Sequence, residues 1–179
     1  GEGEGEGEGA ARLALLREAA GIAEEKLADP PRAAALQTRI LEETGGADTE
    51  AARSLEQYYT GRGEWAGLAR VLRAVLPTLS GADAIAGRIR LADIAYEHLA
   101  DADAASAMWR EVLQRDPTHG EARARLVTAF AARGDWDGAE AFARTNDAWS
   151  NVSDAMQSAL ATCPPPDVRS LALRLIRVA

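Results

Sequence analysis

The sequence repeats itself at a fixed interval, and this self-similarity restricts its fold more than any other feature. Six positions between residues 55 and 65 recur 71 positions later with residues of similar size and charge. The matched pairs are Leu55 with Leu126, Tyr59 with Phe130, Arg62 with Arg133, Gly63 with Gly134, Glu64 with Asp135 and Trp65 with Trp136. Chains with such repeats bury their cores by stacking one copy on the next, so each copy needs its neighbours.

Two further registers support the same interpretation. An offset of 72 relates Ile22, Glu25, Leu27, Ala28, Asp29 and Ala33 to Ile94, Glu97, Leu99, Ala100, Asp101 and Ala105. An offset of 84 relates Trp65, Leu76, Asp83, Leu91 and Ala95 to Trp149, Leu160, Asp167, Leu175 and Ala179. We interpret the unit as a helical hairpin of about 35 residues, which gives about five hairpins in the chain.

Apolar residues recur at intervals of three and four, which is typical of one face of a helix. Prolines, glycines and Asp-Pro pairs interrupt this pattern at regular distances. The helices predicted in this way span about residues 10–28, 30–44, 48–61, 64–76, 83–99, 103–115, 118–133, 135–145, 149–162 and 167–178. No alternating apolar and polar run is long enough for a strand, so we predict an all-α fold.

Charge and hydropathy exclude several classes of function. The 179 residues carry a net charge of −8, and neither a basic stripe nor a high pI points to a nucleic-acid partner. No window approaches the ~18 consecutive apolar residues of a membrane span, and the first residues lack the basic, apolar and small-residue succession of a signal peptide, so we expect a cytoplasmic protein without membrane partners. The single cysteine, Cys163, forms no internal disulfide and is interpreted as a packing residue.

The first nine residues alternate glycine with glutamate and offer nothing apolar to bury. We expect residues 1–9 to be a flexible, extended linker. Residues 10–179 then form a helical-repeat domain, which we expect to be part of a longer array. A phosphate-binding loop is excluded because neither a preceding strand nor a following Lys-Ser/Thr accompanies the glycines.

Residues 118–145 resemble the tetratricopeptide repeat. The residues that carry the resemblance are Ala122, Leu126, Ala129, Phe130, Gly134, Asp135, Trp136 and Ala139, with Trp109 and Asp116-Pro117 at the end of the preceding copy. The resemblance covers about residues 10–179 and is strongest over 50–145. The copies in this chain are similar to the divergent copies of long bacterial arrays. The resemblance implies a right-handed superhelical solenoid of helical hairpins.

Tryptophans and titratable residues offer no catalytic or metal site. Trp65, Trp136 and Trp149 stand at matched repeat positions, which predicts a buried packing role rather than an aromatic cage. His98 and His119 are 21 positions apart without neighbouring ligands, and are interpreted as surface or turn residues. Asp101-Ala-Asp103 opens like a calcium loop, but the residues that should follow are missing. We therefore expect no enzyme activity, no metal and no cofactor.

The resemblance also implies a binding groove, because the first helix of each hairpin lines the concave side in this family. The matching positions are Glu25, Arg53, Gln57, Asp93, Glu97 and Thr128. Family members that hold a C-terminal carboxylate use Lys, Asn and Arg at such places. Only Arg53 and Gln57 come near that set, so a carboxylate clamp is not predicted.

The function predicted from these observations is a non-catalytic scaffold that binds a partner protein or peptide. The alternative is a regulatory repeat segment of a larger enzyme or signalling protein, since the chain opens at Gly1 and stops within a repeated pattern at Ala179. A third possibility is self-association through the C-terminal helix. Its segment is apolar on more than one face, with Val168, Leu171, Ala172, Leu173, Leu175, Ile176 and Val178.

Overall fold

The structure, a computed structural model, describes residues 2–162 and 165–178, with side chains described for 7–162 and 168–178. Cys163, predicted to be a packing residue, lies outside these ranges. The helices are α1 (Glu2–Gly21), α2 (Pro30–Glu43), α3 (Thr49–Arg62), α4 (Trp65–Val75), α5 (Gly81–Glu97), α6 (Ala102–Arg115), α7 (Gly120–Ala132), α8 (Trp136–Asn146), α9 (Trp149–Leu160) and α10 (Pro165–Val178). Across the described ranges there is no strand, which confirms the all-α prediction.

The start of α1 corrects one expectation from the sequence. The helix begins at Glu2, so residues 2–9 are helical rather than an extended linker. Glutamate is a good helix former, and acidic groups in the first turns interact favourably with the positive end of the helix dipole. Because residues 10–21 already form a helix, its extension through the Gly-Glu run needs no new nucleus.

Aspartates begin four of the helices. The carboxylates of Asp29, Asp48, Asp101 and Asp135 each accept a hydrogen bond from the backbone N–H three residues later, at 2.9 to 3.1 Å. Each bond satisfies a donor that the first helical turn leaves without an internal partner. Side-chain capping therefore marks the starts of α2, α3, α6 and α8.

The structure divides into two compact units, and the first comprises residues 1–100. Successive helices pack on one another from α1 to α5, with a π-helical turn at Ile22–Lys26 after α1 and a 3-10 turn at Leu76–Thr78 after α4. Small residues at the helix crossings allow close approach. The buried core contains Ala20, Ala34, Ile40, Leu41, Ala51, Ala52, Leu55 and Val71.

The second unit comprises residues 101–179. In it α6 packs on α7, α7 packs on α8 and α9, and α9 packs on α10. One core cluster contains Val127, Phe130, Ala139, Ala143, Ala148, Val152, Met156 and Leu171. Each unit is thus built from helices that cover one another in chain order, as a helical-hairpin repeat requires.

The four tryptophans differ in burial, which corrects part of the sequence interpretation. Trp109 is 1% exposed, in the middle of α6 beside the buried Ala105. Trp65, Trp136 and Trp149 were predicted to be buried, yet each is only half-buried. Each of these three is the first residue of its helix, where fewer neighbours surround a side chain than in the middle.

Candidate protein-binding surface

The polar face of α3 carries two of the predicted groove residues. Arg53 and Gln57 are exposed and lie four positions apart, so they share one side of the helix. Ala51, Ala52 and Leu55 on the same helix are buried in the core of the first unit. Helix α3 therefore uses one side for packing and leaves a polar side open.

The adjoining face of α5 carries two more predicted residues. Glu56 of α3 accepts a hydrogen bond from the guanidinium of Arg90 in α5, which places these two helix faces side by side. Asp93 and Glu97 follow Arg90 at three and seven positions and so lie on the same face of α5. Asp93 is half-buried and Glu97 is exposed. The combined surface of α3 and α5, which we call the α3/α5 face, presents both signs of charge.

The remaining two predicted residues lie elsewhere. Glu25 is exposed in the π-helical turn that follows α1. Thr128 is exposed on α7 in the second unit, where its hydroxyl donates to the carbonyl of Ala124 at 3.0 Å. The α3/α5 face thus contains four of the six predicted positions.

A small recess lies between α2 and α3 and was not predicted from the sequence. Its volume is about 100 Å³, and it opens between α2, α3 and the π-helical turn. Apolar groups and polar groups both line it, namely Glu24, Pro30, Ala33, Ala34, Gln37, Ser54 and Tyr58. Ser54 and Tyr58 each directly follow a predicted groove residue in sequence. The sequence signal that could have indicated the recess is Tyr58, which stands four positions after Ser54 on the open side of α3.

Tyr58, which lines the recess, contacts a charged side chain. The guanidinium of Arg62 lies 5.2 Å from the centre of the Tyr58 ring, within the range of a cation–π contact. Arg62 also donates to the carboxylate of Glu64 at 2.6 Å, and this hydrogen bond raises the pKa of Arg62. The guanidinium of Arg62 therefore contacts both the Glu64 carboxylate and the Tyr58 ring.

The histidines occupy turn and surface positions, as predicted. His98 is exposed directly after α5, and its ring stacks on that of Trp65 with centres 3.8 Å apart and planes 7° from parallel. His119 precedes α7, and its Nδ1 accepts a hydrogen bond from the N–H of Ala122 at 3.3 Å. Over the described ranges, no group of three or more His, Cys, Asp or Glu residues is arranged to hold a metal ion.

The fold is that of an all-helical repeat protein, and its helix α3 leaves one polar side open. Residues 98–163 match the tetratricopeptide repeat family. The match covers α6 to α9, which include the segment 118–145, and confirms the resemblance to this family. No curated protein matches the chain. Among the described helices, none combines the length and apolar character needed to cross a membrane.

Proposed function

We propose that this protein is a non-catalytic scaffold and that the α3/α5 face binds a partner protein or peptide. Tetratricopeptide repeats generally mediate protein–protein interaction. The observation that carries the proposal is the division of α3 into a buried apolar side and an open side with Arg53 and Gln57. Polar side chains that the packing of a repeat does not use are available for contacts with a partner.

The recess gives this surface a place for one side chain of a partner. A partner peptide that lies along α3 can insert a small aliphatic side chain between Ala33 and Tyr58, with a polar rim at Gln37 and Ser54. Buried anchor residues of this type supply most of the binding energy in many interfaces. Arg53 and Glu97, which have opposite charge, then favour a partner that carries both signs of charge.

A peptide-display selection on the full chain tests the proposal. Enriched peptides are then measured by fluorescence anisotropy against a double variant, Arg53→Ala with Glu97→Ala. We expect affinity to fall at least about tenfold, since loss of two interface charges typically costs more than 1.4 kcal/mol.

The matched control is Arg73→Ala with Glu42→Ala, which also removes one positive and one negative exposed residue, but from α4 and α2. Its affinity for the same peptides should equal that of the unmodified protein. If no peptide is enriched, or if both double variants bind equally well, the α3/α5 face is not the binding surface.

A further inference from the structure

The outer side of α1 is an exposed stripe that combines apolar and acidic residues. Leu15 is 66% exposed and Ile22 is 36% exposed, although both are large aliphatic side chains. Glu8 and Glu18 lie on the same side of the helix, at seven positions before and three positions after Leu15, and both are exposed. We call these four residues the α1 stripe, although Ile22 is the first residue of the π-helical turn after α1.

The basic residues of α1 do not neutralise this stripe. Arg12 binds Glu43 at 2.7 Å and Arg17 binds Asp48 at 2.6 Å, so both guanidinium groups are directed toward neighbouring elements of the first unit. Lys26 follows in the π-helical turn, beside Glu24 and Glu25. The α1 stripe therefore remains apolar and acidic.

The repeat register shows what covers such a stripe elsewhere in the chain. The offset of 72 that matches Ile22 with Ile94 also places Leu15 at the position of Gly87 in α5. A Cβ atom on Gly87 would lie only 3.1 Å from the Cδ1 atoms of both Leu76 and Leu79. Ile94 is 6% exposed. In α5, then, leucines from the preceding segment cover the position of Leu15, and the position of Ile22 is buried.

The same register also indicates which charge would complement the α1 stripe. Glu18 corresponds to Arg90, which forms an ion pair with Glu56 of the preceding odd-numbered helix. The charge at this position is reversed in α1. An element that covers the α1 stripe should therefore offer large aliphatic side chains accompanied by cations.

Helix α10 has a surface of this composition. Leu171 is 5% exposed and packs with Leu175 and Val178 on the core of the second unit. On the other side of the helix, Leu173 is 60% exposed and Ile176 is 76% exposed. Exposed arginines, Arg169 and Arg177, accompany these two aliphatic residues on that side. The Arg177 guanidinium also pairs with the Glu140 carboxylate of α8 at 3.3 Å, while its side chain remains 65% exposed. We call Arg169, Leu173, Ile176 and Arg177 the α10 stripe.

We propose that two copies of this chain associate head to tail, with the α10 stripe of one copy seated on the α1 stripe of the next. Leu173 and Ile176 would take the place on α1 that Leu76 and Leu79 have on α5. Arg169 and Arg177 would face Glu8 and Glu18. Such an interface joins two different surfaces, so each bound copy still offers one free stripe and association continues beyond a dimer.

Sedimentation equilibrium of the full chain over the micromolar to millimolar range tests this proposal with two variants. Leu15→Arg with Glu18→Arg blocks the α1 stripe, and Leu173→Glu with Ile176→Glu blocks the α10 stripe. We expect the unmodified protein to grow in mass with concentration, while each double variant alone stays monomeric. An equimolar mixture of the two variants should form a dimer and no larger species, because each variant retains one intact, complementary stripe.

Other outcomes identify other arrangements and would overturn the proposal. If one double variant still dimerises alone, its intact stripe pairs with itself. If the unmodified protein stays monomeric throughout, the stripes do not bind each other. The control Ala35→Glu with Ala66→Glu adds two charges at exposed positions of α2 and α4, and should associate like the unmodified protein. Circular dichroism checks that every variant remains helical; Leu173→Ser with Ile176→Ser replaces the α10 variant if it does not.

Discussion

Ala28 and Ala100 adopt the same left-handed backbone conformation 72 positions apart, with φ angles of 48° and 53°. Each is the residue before an aspartate that caps the next helix, Asp29 for α2 and Asp101 for α6. Alanine is strained in this region because its Cβ approaches the following carbonyl oxygen, at about 1–2 kcal/mol. The two copies of the repeat therefore share a strained backbone turn as well as similar side chains.

Ala28→Gly and Ala100→Gly should each stabilise the protein. The strain relieved exceeds the extra conformational entropy of an unfolded glycine, so we expect a gain of about 0.5–1 kcal/mol in the free energy of unfolding. Urea denaturation, monitored by circular dichroism, measures this gain in stability. Ala35→Gly, inside helix α2, is the control and should lose about 1 kcal/mol. A loss of stability in all three variants would show that the turns are not strained.

Gly46 should tolerate no side chain, whereas its neighbour Gly45 should tolerate one at moderate cost. Both have positive φ angles, 58° at Gly45 and 86° at Gly46. A Cβ on Gly46 would lie 2.0 Å from the carbonyl oxygen of Ala74 in α4, while one on Gly45 would meet no atom within 4 Å. Gly45→Ala should cost about 1–2 kcal/mol from backbone strain alone.

Gly46→Ala should cost a further ~1–3 kcal/mol, because the backbone of α4 must move. Thermal denaturation of the two variants measures the difference directly. Equal melting temperatures would mean that the turn after α2 does not approach α4 closely at Gly46.

Trp109→Ala and Trp136→Ala should differ clearly in stability. Trp109 is almost completely buried, and deletion of such a ring costs about 3–5 kcal/mol. Trp136 is half-buried at the start of α8, so its deletion should cost about 1–2 kcal/mol. Chemical denaturation of both variants provides the comparison. The ranking fails if Trp136→Ala is the more damaging change.

Asp48 should make the first unit sensitive to acid. The N–H of Ala51 donates to its carboxylate and, together with Arg17, lowers the pKa of Asp48 below the usual value near 3.8, although partial burial acts in the opposite direction. A carboxylate with a lowered pKa in the folded state stabilises the protein above the unfolded-state pKa. That contribution is lost as the pH falls through the lowered value.

Asp48→Asn keeps a capping side chain but loses the charge that pairs with Arg17. We therefore expect this variant to be less stable than the unmodified protein at neutral pH and to approach it as the pH falls below about 4. Melting temperatures between neutral and acidic pH measure both curves. Parallel curves over the whole range would exclude Asp48 as a source of the acid sensitivity.

The sequence by itself determined the helices and their order. The spacing of Leu13, Leu16 and Ala20 and the stop at Gly45-Gly46 depend on local periodicity and on backbone preferences, which act within a few residues. The repeat registers gave the hairpin unit for the same reason, since a copied unit copies its turns, as Gly63 and Gly134 show with the same φ of 66°. The Gly-Glu segment was predicted wrongly because its composition favours an extended chain, whereas a helix already formed at Ala10 extends through it.

Only the tertiary structure decided which side of each helix is covered. Leu171 and Leu173 are the same residue type two positions apart, yet one packs on α9 and its neighbours in the core while the other is exposed. Likewise, the α3/α5 face depends on the contact of Glu56 with Arg90 across 34 positions, and its recess depends on α2 and α3 meeting at Ala33 and Tyr58. The burial of a side chain depends on neighbours that are distant in sequence. A local sequence pattern does not specify which of these residues lie close to it in the fold.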